Sequence, residues 1–262
     1  MKLIPKIIHG DCTLLLPKVS TRSVDCCITS PPYNLNKDYG TYKDNLPRND
    51  YLCWMAKILA EIARVLKSDG HFFFNIAGAA SDPELPLELI RLATQQFTIQ
   101  NHIIWVKSIA VDGAAKGHCK PLQSRRFLNR QWENIYHLTH EGNVPVNRLA
   151  IGVPYADKSN LTRGSRGKNG DVRCAGDVWF IPYPTVQNRK THPAAFPEEL
   201  ATRCLKLAGL PQEAWVLDPF AGSGTVGASA RRLGLNSLLF ELNPKYVEMA
   251  RSWIDTIKDI HV

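Results

Sequence analysis

The C-terminal stretch "AWVLD" (214–218), "PFAGSGT" (219–225), "VGASARRLG" (226–234), "SLLFEL" (237–242), "PKYVEMARSWIDTIK" (244–258) decides the fold. "AWVLD" is a short apolar run stopped by proline, as a buried strand is. A glycine-rich turn follows, then a segment of helical period, a second apolar strand and a second helix. That order is a βαβ unit, which places a ligand where the first strand runs into its helix.

Gly222-Ser223-Gly224-Thr225-Val226-Gly227 matches G-x-G-x-x-G, and Glu241 ends the next strand at the distance expected of an acid that holds ribose hydroxyls. Taken literally, the pattern suggests a dinucleotide. Asp218, however, would set its carboxylate beside the phosphates such a loop cradles, and like charges in a partly dry site repel. S-adenosylmethionine suits the turn better, because it carries ammonium and sulfonium charges and no phosphate.

Upstream, "VDCCIT" (24–29) is expected to be a strand, and a helix capped by Asn49 or Asp50 carries Trp54, Ile58, Leu59, Ile62, Val65 and Leu66 at the helical period up to Gly70. Strands are expected at "HFFFNIA" (71–77), "TIQNHIIWVK" (98–107) and "WENIYHLT" (132–139), with a helix over 83–97. Alternating strands and helices predict a parallel α/β sheet. Periodicity is lost from about 142 to 176, "DVWFIPYP" occupies 177–184, and a further helix is expected to start near Pro197. The expected organisation is a core of 1–141 and 179–262 interrupted by an irregular segment, 142–178.

The 262 residues are 44% hydrophobic, enough for a real core. No apolar run of about 18 residues and no signal-peptide pattern appears, which predicts a soluble, intracellular protein without a membrane span. Seven cysteines, several inside apolar runs, suit buried reduced thiols. No metal is expected, because His118-Cys119 lacks partners at zinc-ligand spacing. The net charge of +8 hints at a polyanionic partner. Arg148, Lys158, Arg163, Arg166, Lys168 and Arg173, opposed only by Asp157 and Asp171, form a basic loop suited to phosphates.

"TSPPYN" (29–34) follows the strand at 24–29. Proline restricts the residue before it, so Ser30 and Pro31 are pressed into extended backbone and their oxygens are held in nearly fixed directions. Two such acceptors aimed at one exocyclic amine would draw its hydrogens out of the base plane and free the nitrogen lone pair to attack a methyl group. Tyr33 could then stack on the base.

"TSPPYN" resembles the catalytic motif, and "DPFAGSGT" the cofactor motif, of the amino-group DNA methyltransferases. Their order, catalytic motif first and cofactor motif last around a basic segment, resembles the β-class. "HGD" (9–11) and "HPAAFPEEL" (192–200) are similar to further motifs of that family. The resemblance implies a Rossmann-like S-adenosylmethionine-dependent methyltransferase sheet with helices on both faces and an inserted target-recognition segment at 142–178. The loop 108–130, with Lys116, Lys120, Arg125, Arg126 and Arg130, would assist that segment. It also implies that Ser30, Pro31, Pro32 and Tyr33 hold and activate a flipped base, with Asn34 nearby. The cofactor would be lined by Asp218, Pro219, Phe220, Gly222, Gly224 and Thr225, with Glu241 on its ribose, Asp11 near its adenine, and His192, Pro193 and Phe196 near its methionine end. The implied substrate is double-stranded DNA in a prokaryotic cytoplasm, associated with the nucleoid.

Serine at the head of the corner resembles the cytosine-N4 branch, with adenine-N6 methylation as the alternative. Methylation of a protein glutamine or of RNA, and a DNA-binding module without chemistry, are more remote readings. A homodimer, suggested by surface aromatics such as Trp253, and a cognate restriction endonuclease are left open as partners.

Overall fold

The computed structural model describes residues 3–117, 122–156, 172–182 and 196–258. In chain order the main elements are β1 (Pro5–His9), α1 (Cys12–Leu15), β2 (Val24–Thr29), α2 (Arg48–Val65), β3 (Leu66–Ile76), α3 (Leu85–Ala93) and β4 (Thr98–Val106). A hairpin of β5 (Ser108–Val111) and β6 (Ala114–Gly117) precedes β7 (Trp132–Thr139), and β8 (Val153–Pro154) pairs with β9 (Val172–Arg173). The chain ends with β10 (Val178–Phe180), α4 (Glu198–Ala208), β11 (Trp215–Asp218), α5 (Thr225–Arg232), β12 (Asn236–Glu241) and α6 (Pro244–Thr256).

Eight strands form one sheet in the order β1-β12-β11-β2-β3-β7-β4-β10. The sheet is mixed rather than wholly parallel, since β7 runs antiparallel to both β3 and β4. A parallel return needs a crossover, usually a helix, and the described connection from β4 to β7 contains only the β5–β6 hairpin. The α/β class stands, and the reversed strand is the departure.

Helices cover both faces. Successive strand side chains alternate in direction, so Phe72 and Phe74 enter the core beneath α2 and α3, while Phe73 enters the opposite core beneath α4 and α5. Three local expectations change. Helix α2 starts at Arg48 behind Pro47, which makes no side-chain cap, and Asp50 lies in the first turn, where an acid favours the helix dipole. That helix also ends at Val65, not Gly70, because Leu66 pairs with Val24 of β2 and opens β3. Trp253 is half-buried against the core beneath α4 and α5 rather than a free surface aromatic.

The irregular segment is tied to the core at its described ends. Val144 is buried and bracketed by the Gln100 amide, Asn147 N donates to Leu207 O at 2.8 Å, and Val178 already belongs to the main sheet. Among the described residues no helix is long and apolar enough to cross a membrane.

Gly224 explains itself sterically. Its φ is +89°, and a Cβ there would lie 2.6 Å from Ala250 Cβ. Left-handed backbone costs a non-glycine residue about 1–2 kcal/mol and overpacking about 1–3 kcal/mol more. Gly224→Ala is therefore expected to destabilise the fold by about 2–5 kcal/mol, lowering the melting midpoint by very roughly 4–20 °C. Calorimetry checks this, and Ala250→Gly in the same chain should recover part of the loss.

Candidate active site

The last residues of β2 and β11 touch: Thr29 Oγ1 donates to Asp218 Oδ1 at 2.7 Å. The two strands are neighbours in the sheet, so the Ser-Pro-Pro-Tyr corner and the glycine turn leave it side by side. Both open into one cavity of about 690 Å³, lined by Ser30, Pro31, Pro32 and Tyr33 from the first and by Asp218, Pro219, Phe220, Gly222, Ser223 and Thr225 from the second. Asp11, Phe196 and Glu241 also line it. His192 and Pro193 fall outside the described residues.

The corner is held from both sides. Tyr51, from α2, donates its hydroxyl to Pro32 O at 2.7 Å. Asn34 takes the left-handed conformation at φ 56°, and its amide donates to Leu46 O at 2.8 Å and accepts from Leu46 N at 2.7 Å. Asn34 thus clamps a loop to the corner. That loop contributes Lys37, Tyr39, Thr41 and Tyr42 to the cavity. Tyr42 stacks on Trp54 with centroids 5.7 Å apart, and Trp54 meets Phe220 edge-on at 5.5 Å, giving the cavity an aromatic wall.

Inside the corner, Ser30 Oγ lies 2.6 Å from Tyr33 OH. Tyr33 OH reaches Asn75 O at 3.1 Å and Glu133 Oε2 at 3.3 Å. Asn75 Nδ2 donates to Glu133 Oε2 at 2.8 Å, and Glu133 Oε1 accepts from Lys107 Nζ at 2.8 Å. Burial and the nearby Glu133 push the Tyr33 phenol well above its usual range, so it stays protonated.

On the turn side, Asp218 Oδ1 also accepts from Phe220 N at 3.0 Å. Burial raises its pKa to about 7 despite the Thr29 and Phe220 hydrogen bonds, and the charge of Glu241 adds to the rise. Glu241 is likewise raised by burial; its oxygens accept from Gly222 N at 2.8 Å and Asn243 N at 2.7 Å. Two desolvated carboxyl groups in one cavity, held by hydroxyl and backbone N–H donors, fit a cationic ligand with ribose hydroxyls and not a polyphosphate. Asp11 caps α1 through Thr13, at the end of β1. Gly224 does not line the cavity; it packs against Ala250.

Of the basic residues, Arg148 and Arg173 are exposed, whereas Lys158, Arg163, Arg166 and Lys168 lie outside the described residues. Lys116, Arg125 and Arg126 are exposed as well, Lys120 is outside the description, and Arg130 turns into the cavity and donates to Ala79 O at 3.1 Å. Trp54, Asn75, Lys107 and Glu133 were not anticipated from the sequence. The signal for Asn75 and Glu133 was a polar residue inside "FFFNI" and an acid inside "WENIYHLT".

The N6/N4 DNA methylase family model matches residues 24–252. The chain belongs to this family. Relatives include the DNA adenine methyltransferase YhdJ of Escherichia coli K12, 28% identical over 257 residues, covering 95% of this chain and 82% of the relative. The type II methyltransferase M.SmaI of Serratia marcescens is 29% identical over 286 residues, covering 95% and 90%. Among solved structures, the cytosine-N4-specific PvuII DNA methyltransferase superposes with a TM-score of 0.71 at 18% identity, over 99% of this chain and 88% of that one. A DNA modification methylase of Thermus thermophilus, complexed with S-adenosyl-L-methionine, gives 0.66 at 23%, over 97% and 94%. The protein is a DNA methyltransferase of the N4-cytosine/N6-adenine family and uses S-adenosylmethionine.

Proposed function

We propose that this methyltransferase acts on the N4 amine of cytosine in duplex DNA, flipping the base into the corner formed by Ser30, Pro31, Pro32 and Tyr33. The observation that carries this reading is the serine-headed corner opening into the same cavity as the buried carboxyl of Asp218. Ser30 Oγ and the Pro31 carbonyl accept the two amine hydrogens and pull them from the ring plane, so the nitrogen lone pair is released from conjugation. The Tyr33 ring stacks on the base, contributing about 1–3 kcal/mol against the few kcal/mol lost on flipping. Asp218 would hold the cationic end of the cofactor, Glu241 its ribose and Asp11 its adenine, with Phe220, Gly222 and Thr225 along its length and Phe196 toward its methionine end. When bound, S-adenosylmethionine supplies an electrophilic methyl group.

A covalent thiolate adduct is unnecessary on this route. Cys26 and Cys27 are fully buried within β2, on opposite faces of the sheet, and burial holds both thiols well above their usual range. The DNA-facing surface in this proposal is the 142–178 segment, with Arg148 and Arg173, joined by the exposed Lys116, Arg125 and Arg126 of the 108–130 loop.

The E. coli relative named as an adenine methyltransferase supports a second reading, adenine N6. Digestion of DNA methylated by the purified protein, followed by nucleoside mass spectrometry, separates the two: N4-methylcytosine is expected, and N6-methyladenine as the sole product overturns the base assignment. Transfer to protein or RNA but not to DNA overturns the substrate. The type II names of several relatives extend the proposal to a cognate restriction endonuclease, against which DNA from a host expressing this chain should be protected.

A further inference from the structure

Asn75 leaves one of its own atoms unpaired. Its side chain is 2% exposed on β3, its Nδ2 touches three oxygens, and its Oδ1 is buried without a hydrogen-bond partner. Leaving a buried acceptor unpaired destabilises a fold, so an amide kept there at that cost is kept for its nitrogen. The orientation of the amide follows from chemistry: the atom 2.8 Å from Glu133 Oε2 faces an acceptor-only carboxylate and must be the NH2 group.

The remaining directions then follow in sequence. Tyr33 OH faces Asn75 O at 3.1 Å and Glu133 Oε2 at 3.3 Å, and both can only accept, so the phenol donates toward them. The 2.6 Å contact between Ser30 Oγ and Tyr33 OH needs one hydrogen, and with the phenol's own already directed away, Ser30 supplies it. Asn75 Nδ2, 3.3 Å from Ser30 Oγ, adds a donor on the same side. Ser30 thus spends its hydrogen on Tyr33 and keeps a lone pair for the cavity. With its hydrogen turned the other way, the hydroxyl would meet a substrate amine donor to donor.

We propose that Glu133, acting through Asn75 and Tyr33, sets the direction of this hydrogen-bond chain so that Ser30 meets the substrate amine as an acceptor. Glu133 is a positioning residue here, and Lys107 anchors its far oxygen. The inference rests on the amine-methylation reading and is the same for cytosine and adenine.

Glu133→Gln tests it because the ammonium of Lys107 draws the amide oxygen of the glutamine and turns its NH2 toward Asn75 and Tyr33. The glutamine NH2 then meets Asn75 Nδ2 and the Tyr33 hydroxyl donor to donor, so the phenol keeps only Asn75 O as acceptor and the Asn75 amide loses its bond, which leaves the Ser30 hydroxyl no longer held in one direction. Single-turnover rates with duplex DNA should fall at least about 30-fold in Glu133→Gln, the scale of one misdirected catalytic hydrogen bond. Lys107→Met removes the anchor but keeps the carboxylate as an acceptor, so its loss should be clearly smaller than that of Glu133→Gln, about three- to tenfold. The double variant frees the glutamine to turn its oxygen inward and should regain most of the Glu133→Gln loss. S-adenosylmethionine affinity should be unchanged throughout, while the melting midpoint should fall in both single variants, each of which leaves one buried charge unpaired. An ion pair that only holds the fold would slow the two single variants equally, and that outcome overturns the inference, as does a Glu133→Gln rate within threefold of the unaltered protein. Absence of DNA methylation by the unaltered protein would instead overturn the function on which the inference rests.

Discussion

Ser30→Ala is expected to slow single-turnover methyl transfer by about 10²–10³-fold, the range for removing one preorganised polar contact to a reacting group. Alanine keeps the Cβ and the extended backbone imposed by Pro31, so the corner keeps its shape. It removes one of the two acceptors proposed for the amine and leaves Tyr33 OH without its 2.6 Å neighbour. The cofactor side is held separately, by Thr29 and Phe220 on Asp218 and by Gly222 and Asn243 on Glu241, so S-adenosylmethionine affinity should be unchanged. Rapid-quench measurement with enzyme in excess over DNA isolates the chemical step. A rate within about fivefold of the unaltered protein would remove Ser30 from the reaction and leave the Pro31 carbonyl as the principal acceptor.

The elements legible from the sequence were those whose signal is local. β2, β4 and β7 are apolar runs bounded by Pro, Gly or polar residues, and they fall at 24–29, 98–106 and 132–139 as expected. The βαβ unit from β11 to α6 follows for the same reason. The direction of β7 was not legible, because strand periodicity is the same read either way and only the lack of a helical crossover after β4 decides it. The end of α2 was hidden in the same fashion: Leu66 continues the helical period, and pairing with Val24 on a strand 42 residues earlier overrides it.

The site divides along the same line. Ser30, Tyr33, Asp218 and Glu241 sit at strand ends marked by proline or glycine, where short motifs record function. Asn75 and Glu133 sit within β3 and β7, and their meeting depends on the antiparallel register that pairs Asn75 with Ile135. Trp54 has the helical spacing of an ordinary core residue, and only the return of Phe220 from the far end of the chain makes it a cavity wall. Gly224, expected from the resemblance to line the cofactor, packs against Ala250, because sequence shows that a side chain is absent without showing what fills its place.

Asp218→Asn is expected to weaken S-adenosylmethionine binding by about 10–100-fold at pH 8, the loss of a charge-assisted contact of about 1.5–3 kcal/mol, and to remove the share of its pH dependence that Asp218 carries, leaving that of Glu241. Asparagine preserves Oδ1 as acceptor for Thr29 Oγ1 and Phe220 N, so the turn keeps its support. Burial raises the carboxyl of Asp218 from its ordinary 3.8 to about 7, so in the ligand-free protein its contribution to stability is full below about pH 4 and declines as pH rises through 7. Binding of a cation has the opposite dependence, since it favours the ionised form. Affinity in the unaltered protein should therefore rise between pH 6 and 8, with proton release on binding at the acid end, and ligand-free Asp218→Asn should melt higher than the unaltered protein at pH 8. Calorimetric titration in two buffers of different ionisation enthalpy measures the released proton directly. Equal affinities at pH 6 and 8 with no proton released would place the positive charge of the cofactor away from Asp218, and the preference for a sulfonium ligand over a phosphate at this turn would need another physical cause.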